Sequence, residues 1–220
     1  MRRLWIAPFA AVALACVALT PAVDAEAKAS DEKKGDAGWV QLFNGKDIVG
    51  WKTFDPKHQK HWYVKDGVLY SSGKEASHLF SPRDDYENFH YRIEAKISDK
   101  GNSGQYFRTK FGPGYPKGYE AQINSNFPDP QKTGSLYGFA KITEMLVPPE
   151  KWFVQEVIAN GNRIQIILDG KKVVDYLDEK NTYTRGHFAI QQHGPAKGGP
   201  EVVVALKRIE VKELPATKKK

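Results

Sequence analysis

The sequence predicts an all-β chain folded as one two-sheet antiparallel jelly-roll sandwich. Three observations lead there. Short apolar runs with a period of two recur at intervals of about ten residues. Pairs of Gly, Asn and Asp suited to tight turns separate them. No amphipathic segment longer than about two helical turns carries caps. Strands spaced in this way pair into sandwiches or barrels, and the long loops in mid-chain favour a jelly roll.

The elements follow in order. The domain opens at Gly38 with WVQLFNGKDIVGWK, where Trp39, Leu42, Phe43, Ile48 and Trp51 are apolar anchors and Asn44-Gly45 is a turn. His61–Lys65 and Val68–Ser71 flank Asp66-Gly67, a strong two-residue hairpin signal. Leu79-Phe80 starts a further strand. Tyr86–Ile97 alternates cleanly, with Phe89, Tyr91, Ile93, Ala95 and Ile97 on one face and His90, Arg92, Glu94 and Lys96 on the other. Gln105–Thr109 and Tyr119–Asn124 are short strands set among turn residues, with the preceding GNSG read as a turn. Lys141–Val147 is ambiguous and ends at Pro148-Pro149. Trp152–Ala159, Arg163–Leu168 and Lys172–Tyr176 form a meander with turns at 160–162 and Asp169-Gly170. Gly186–His193 and Val202–Leu214 close the domain.

The ends of the chain read differently. Residues 1–25 have a basic start, an apolar run and small residues at Val23 and Ala25, the pattern of a signal peptide cleaved after Ala25. That reading is favoured over an uncleaved anchor and over lipid attachment at Cys16, and it predicts export to the periplasm or the extracellular space. Cleavage removes the single cysteine, leaving no disulfide and no Cys-based metal site. Residues 26–37 read as a disordered, charged linker, residues 38–214 as the domain, and residues 215–220 as a basic tail. The formal net charge is +7, and removing the eight Lys/Arg and five Asp/Glu outside 38–214 leaves +4. With no basic helix and no Arg block, nucleic acid is excluded as a partner.

Residues two apart in a strand share a face. Glu120, Gln122 and Asn124 therefore point together, opposite the apolar Tyr119, Ala121 and Ile123. Such a face can simply meet water. A carboxylate beside two amides, with aromatics nearby, also suits a sugar, which offers hydroxyls to polar groups and C–H faces to rings. Arg108 on the preceding run is placed as a neighbour of Glu120 across the sheet. The four tryptophans Trp39, Trp51, Trp62 and Trp152 read as core rather than as sugar platforms. No His spacing specifies a metal site, and no glycine-rich loop specifies a dinucleotide, so no cofactor is expected.

Seven segments in order, GWVQLFNGKDIVGWK, WYVKDGVL, GNSGQYFR, GYEAQI, TGSLYG, WFVQEVIANGNRIQIILDGKKV and AIQQHG, resemble the 3-keto-disaccharide hydrolase domain over about residues 38–214. The resemblance implies a concanavalin-like jelly roll and action on glycosides whose C3 hydroxyl has been oxidised to a ketone. It also implies a functional partnership with a sugar 3-dehydrogenase. Many members carry Asp where this chain has Asn124, so a second carboxylate is missing at that position.

A 3-keto group acidifies the C2 hydrogen. Elimination then needs a base, an acid for the leaving oxygen, and a donor to the ketone oxygen. Glu120 and His193 are the candidates for proton transfer, with the acid and base roles open between them. Arg108 is the candidate electrophile for the ketone oxygen or orienter of Glu120. Each has a plain structural alternative: a solvated strand carboxylate, a hydrogen-bonded histidine and an ion pair. Gln122, Asn124, Gln191, Tyr137 and Asn102 are candidates for binding sugar hydroxyls, Asn102 being read more readily as a turn residue. The competing function is a carbohydrate-binding module with the same face and no bond cleavage; a structural envelope protein ranks third.

Overall fold

A computed structural model describes residues 38–215 of the chain. The expected leader and linker, and all but the first residue of the expected tail, lie outside the described residues. Thirteen strands follow one another among the described residues: β1 (Val40–Gln41), β2 (Lys52–Thr53), β3 (Trp62–Lys65), β4 (Val68–Gly73), β5 (Ser77–Phe80), β6 (Phe89–Ile97), β7 (Gly101–Thr109), β8 (Tyr119–Ser125), β9 (Phe153–Asn160), β10 (Arg163–Leu168), β11 (Lys171–Leu177), β12 (His187–Gln192) and β13 (Val202–Glu213). One 3-10 helix, Pro56–His61, precedes β3. No helix among the described residues is long and apolar enough to cross a membrane.

The turns form where the sequence places residues that tolerate positive φ. Lys65 pairs with Val68 across Asp66 and Gly67, whose φ angles are 51° and 76°. Leu168 pairs with Lys171 across Asp169 (φ 45°) and Gly170 (φ 80°). Two successive left-handed residues give a turn whose twist matches the strands it joins.

The strands make two antiparallel sheets. The larger runs β11-β10-β9-β6-β13-β4-β3, with β1 also on β13; the smaller runs β2-β5-β12-β7-β8. Alternation buries one face of each sheet against the other. Phe89, Tyr91, Ile93 and Ala95 of β6 meet Phe188 and Ile190 of β12 and Phe107 of β7. Phe188 lies between Tyr86 and Tyr91, with ring centroids 4.0 Å from each. Burying each such side chain contributes about 1.5–3 kcal/mol. Trp51 and Trp62 are core as expected, whereas Trp39 and Trp152 are half-buried.

The smaller sheet departs from a simple sandwich. The outer face of a two-layer sandwich ordinarily meets water, yet β7, β8 and β12 are buried at every residue. Two connections cover them: residues 110–118 between β7 and β8, and residues 126–152 after β8. Part of the second pairs with β8. Gln122 N donates to Ser135 O, Gly134 N to Gln122 O, and Tyr137 N to Glu120 O. The TGSLYG segment thus forms an extra rung that sets Tyr137 beside Glu120.

Candidate active site

The covered face encloses a cavity of about 460 Å³, in the range of small-molecule sites. β7 supplies Asn102 and Tyr106, and β8 supplies Glu120 and Gln122. Gln191 comes from β12 and His193 from just past its end. The connections add Tyr115, Phe127, Asp129 and Tyr137. No lysine or arginine lines it.

Glu120 is the centre of this arrangement. It pairs across the strands with Tyr106. Its side chain leans over Gly104, where an added Cβ would overlap the carboxylate. The glycine is therefore required by close approach. Burial pushes the Glu120 carboxyl up to about 8; the Asp129 charge adds to the rise, and the Tyr106 hydrogen bond opposes it. At neutral pH Glu120 is mainly a carboxylic acid, hence a proton donor. Burial, reinforced by the Glu120 charge, pushes the Tyr106 phenol far up.

His193 Nδ1 lies 2.6 Å from Gly194 O and so donates to it, which makes Nε2 the acceptor nitrogen in the neutral tautomer. Tyr115 Oη lies 3.1 Å from Nε2 and donates to it. Phe127 meets the ring edge-on at 4.9 Å. Gln191 Nε2 donates to Tyr106 Oη at 3.2 Å. Gln122 Oε1 accepts from Ile123 N at 3.1 Å, which leaves its amide NH₂ for the cavity. Asn102 Oδ1 and Gln191 Oε1 are buried acceptors without a partner. A buried polar group without a partner costs about 1–3 kcal/mol.

Six of the eight residues expected from sequence come together here: Glu120, His193, Gln122, Gln191, Tyr137 and Asn102. Asn102 requires one correction, since GNSG is not a turn but the start of β7, and its side chain faces the cavity.

Arg108 and Asn124 do not line the cavity. Arg108 has φ 49°, and the β7–β12 register shifts beside it. This bulge breaks the alternation that would have put Arg108 next to Glu120. Its guanidinium instead donates to Glu87 O at 2.5 and 2.9 Å and to Tyr183 O at 3.1 Å. Asn124 does share the face of Glu120, but its side chain is spent on the loop that follows. Its Nδ2 donates to Asp129 O and Gln131 O, and its Oδ1 accepts from Phe127 N. It holds Phe127 and Asp129 in place rather than meeting a ligand.

Sequence reasoning missed Tyr106, Tyr115 and Asp129. Asp129 supplies the second carboxylate that Asn124 lacks, and it accepts from Tyr137 Oη at 2.8 Å. It sits in the proline-rich NFPDPQK loop, which has no periodicity to place it. The strand alternation of β7 was the signal available for Tyr106.

Residues 38–212 match the family described as a 3-keto-alpha-glucoside-1,2-lyase-like domain. No curated protein matches the chain significantly. Among solved structures, a candidate glycosyl hydrolase from Parabacteroides distasonis is similar with TM-score 0.69 and 27% identity, over 84% of this chain and 97% of that one. A second one from the same organism gives TM-score 0.62 and 22% identity, over 80% and 99%. The carbohydrate-binding module CBM66 of Bacillus subtilis shares the fold with TM-score 0.58 and 17% identity, over 76% and 98%.

Proposed function

The chain belongs to the 3-keto-alpha-glucoside-1,2-lyase-like domain family, and from that premise we propose that it cleaves 3-keto-glycosides, including 3-keto-disaccharides, by elimination and hydration. The observation that carries the reading is Glu120: a buried carboxyl, protonated at neutral pH, in a cavity without cations. A purely binding face gains little from an acid held so far above its ordinary range, whereas a leaving-group acid needs one.

In this mechanism His193 Nε2 takes the C2 proton, and Tyr115 yields its place on that nitrogen to the sugar. The C2 electron pair becomes the enolate of the C3 ketone. As the C1–oxygen bond breaks, C1=C2 forms, and Glu120 gives its proton to the departing oxygen. Water then adds at C1, Glu120 takes back a proton, and His193 returns one to C2. The donor to the enolate oxygen is not Arg108 but a cavity group, for which the Gln122 amide NH₂ is suited. Sugar hydroxyls supply the donors that Asn102 Oδ1 and Gln191 Oε1 lack.

The substrate's ketone implies a sugar 3-dehydrogenase acting beforehand. The leader expected at residues 1–25 would place the reaction in the periplasm or outside the cell. A second reading, a binding module without turnover, rests on the fold likeness to CBM66.

The test is an NMR time course with a 3-keto-disaccharide in D₂O beside the unoxidised sugar. Cleavage of the keto sugar alone, with deuterium at C2, is expected. Cleavage without C2 exchange would remove the elimination route. Saturable binding without cleavage would establish the module instead.

A further inference from the structure

A second cavity, also of about 460 Å³, lies beside the first. We propose that it is the subsite for the leaving group of the same glycoside, and that it takes an apolar, aryl aglycone. This rests on the reading of the first cavity as the keto-sugar site.

Position carries the first part. His78 lines the second cavity and Gln191 the first; they pair across β5 and β12, and the Gln191 amide donates to His78 Nε2 at 3.4 Å. The His78 ring stands edge-on to Tyr106 at 4.8 Å and to Tyr115 at 6.2 Å. Gly114 lines the second cavity and its neighbour Tyr115 the first. A single oxygen joins the two halves of a glycoside. With the keto sugar in the first cavity, the second, set against it through His78 and Gln191, is available to its leaving group.

Chemistry carries the second part. Phe54, Pro56, Ala76 and Pro113 present apolar surface. Each polar side chain named here already holds one partner. His58 Nε2 holds Glu75 at 3.0 Å, Asp55 Oδ1 accepts from Lys57 N at 2.9 Å, and Ser77 Oγ accepts from Trp62 Nε1 at 3.4 Å. Burial holds His78 neutral, its imidazole lowered to about 3, so it brings no charge. A hexose would lose hydrogen bonds to water there and find few replacements. A flat ring gains stacking on Phe54, which is 48% exposed and lies 5.4 Å from Phe111 at the rim.

The test compares the wild-type chain with Phe54→Ala and Ala76→Trp on methyl 3-keto-glucoside, phenyl 3-keto-glucoside and a 3-keto-disaccharide. Each variant is scored as a ratio to wild type on each substrate, which cancels leaving-group acidity. The phenyl substrate should lose about tenfold in kcat/KM, or about 1.4 kcal/mol, with the methyl substrate unchanged and the disaccharide losing less. Equal loss on all three, or no loss on the phenyl one, would overturn the subsite. A loss on the disaccharide as large as on the phenyl glycoside would overturn the aryl assignment. Wild type that cleaves none of them would remove the proposed reaction alone. Saturation-transfer NMR of the phenyl glycoside would then decide the subsite: ring signals lost in Ala76→Trp support it, and signals equal to wild type overturn it.

Discussion

Glu156 and Glu120 project from the outer faces of the two sheets, and their surroundings push their proton affinities in opposite directions. Glu156 on β9 lies 2.7 Å from His90 Nε2, and that hydrogen bond is the main reason its carboxyl is lowered. Around it runs a ladder of ion pairs: Arg92 with Glu210 at 2.5 Å and Arg208 with Glu94 at 3.2 Å. Trp39 lies under Arg92 and Trp152 under Lys207, at 4.2 and 4.1 Å. Glu120 on β8 has no lysine or arginine in its cavity and is raised. A carboxylate matched by a cation is an ordinary solvated strand face. One buried without a cation costs stability, and groups perturbed in this way cluster where chemistry uses them.

The comparison breaks first at the two glutamates themselves. Glu120→Gln should lower turnover of a 3-keto-glycoside by about 10²–10⁴-fold, the usual scale of general acid catalysis. Glu156→Gln should leave turnover unchanged. Equal effects of the two substitutions in steady-state kinetics would end the distinction.

Gly104→Ala probes the same difference without removing the acid. The new methyl must push the Glu120 carboxylate off β7. Misplacement on that scale costs about 10²-fold in turnover, while circular dichroism should show the fold retained. No such clash exists on the Glu156 side, so full activity of Gly104→Ala would mean that the position of Glu120 does not matter.

Proton affinity sharpens the contrast. If the acid form of Glu120 is the active one, turnover falls as pH rises through about 8. Stability has the same sign. The folded-state value lies above the ordinary glutamate value of 4.5, so the folded chain holds a proton that the unfolded chain has released. Stability is therefore lost between about 4.5 and 8, by on the order of 1.4 kcal/mol per pH unit. Glu120→Gln should flatten that slope in melting curves. Glu156, lowered in the fold, contributes stability above the ordinary carboxylate range that is lost as pH falls. A slope that persists in Glu120→Gln would assign it to another group.

How much of this could be read from sequence varies with the physical signal. The turns at Asp66-Gly67 and Asp169-Gly170 were legible because two left-handed residues in succession have few sequence solutions. The β6 alternation was legible because every second residue is apolar. The shared face of Glu120, Gln122 and Asn124 followed from the same period. Asn102 was misread because glycines at 101 and 104 look like turn residues. They are instead forced by close approach, Gly101 to the Ile97 side chain and Gly104 to Glu120. Asp129 was invisible because side-chain bonds from Asn124, Lys132 and Tyr137, which no periodicity announces, fix where it lies. The second cavity was invisible for a similar reason: it is assembled from the 3-10 turn, β5 and the β7–β8 connection.

Arg108 shows the limit of periodicity most clearly and gives the smallest expected effect. Nothing in QYFRT announces a bulge, and regular alternation puts Arg108 on the face of Tyr106. One residue at φ 49° sends it elsewhere, where it ties the carbonyls of Glu87 and Tyr183. Gly186 permits this, since a Cβ there would strike the backbone of Arg108 and Thr109. Arg108→Met keeps much of the side chain's bulk and removes the donors, leaving two carbonyls unmet. The expected cost is about 1–3 kcal/mol of stability, with kcat and its pH profile unchanged. Chemical denaturation and steady-state kinetics on the same preparation separate the possibilities. A collapse in kcat with an unchanged midpoint would return Arg108 to the ketone oxygen and show that the bulge opens in the substrate complex. A lowered midpoint with intact kcat leaves Arg108 as a clasp behind the sheet, and the enolate then rests on neutral donors alone.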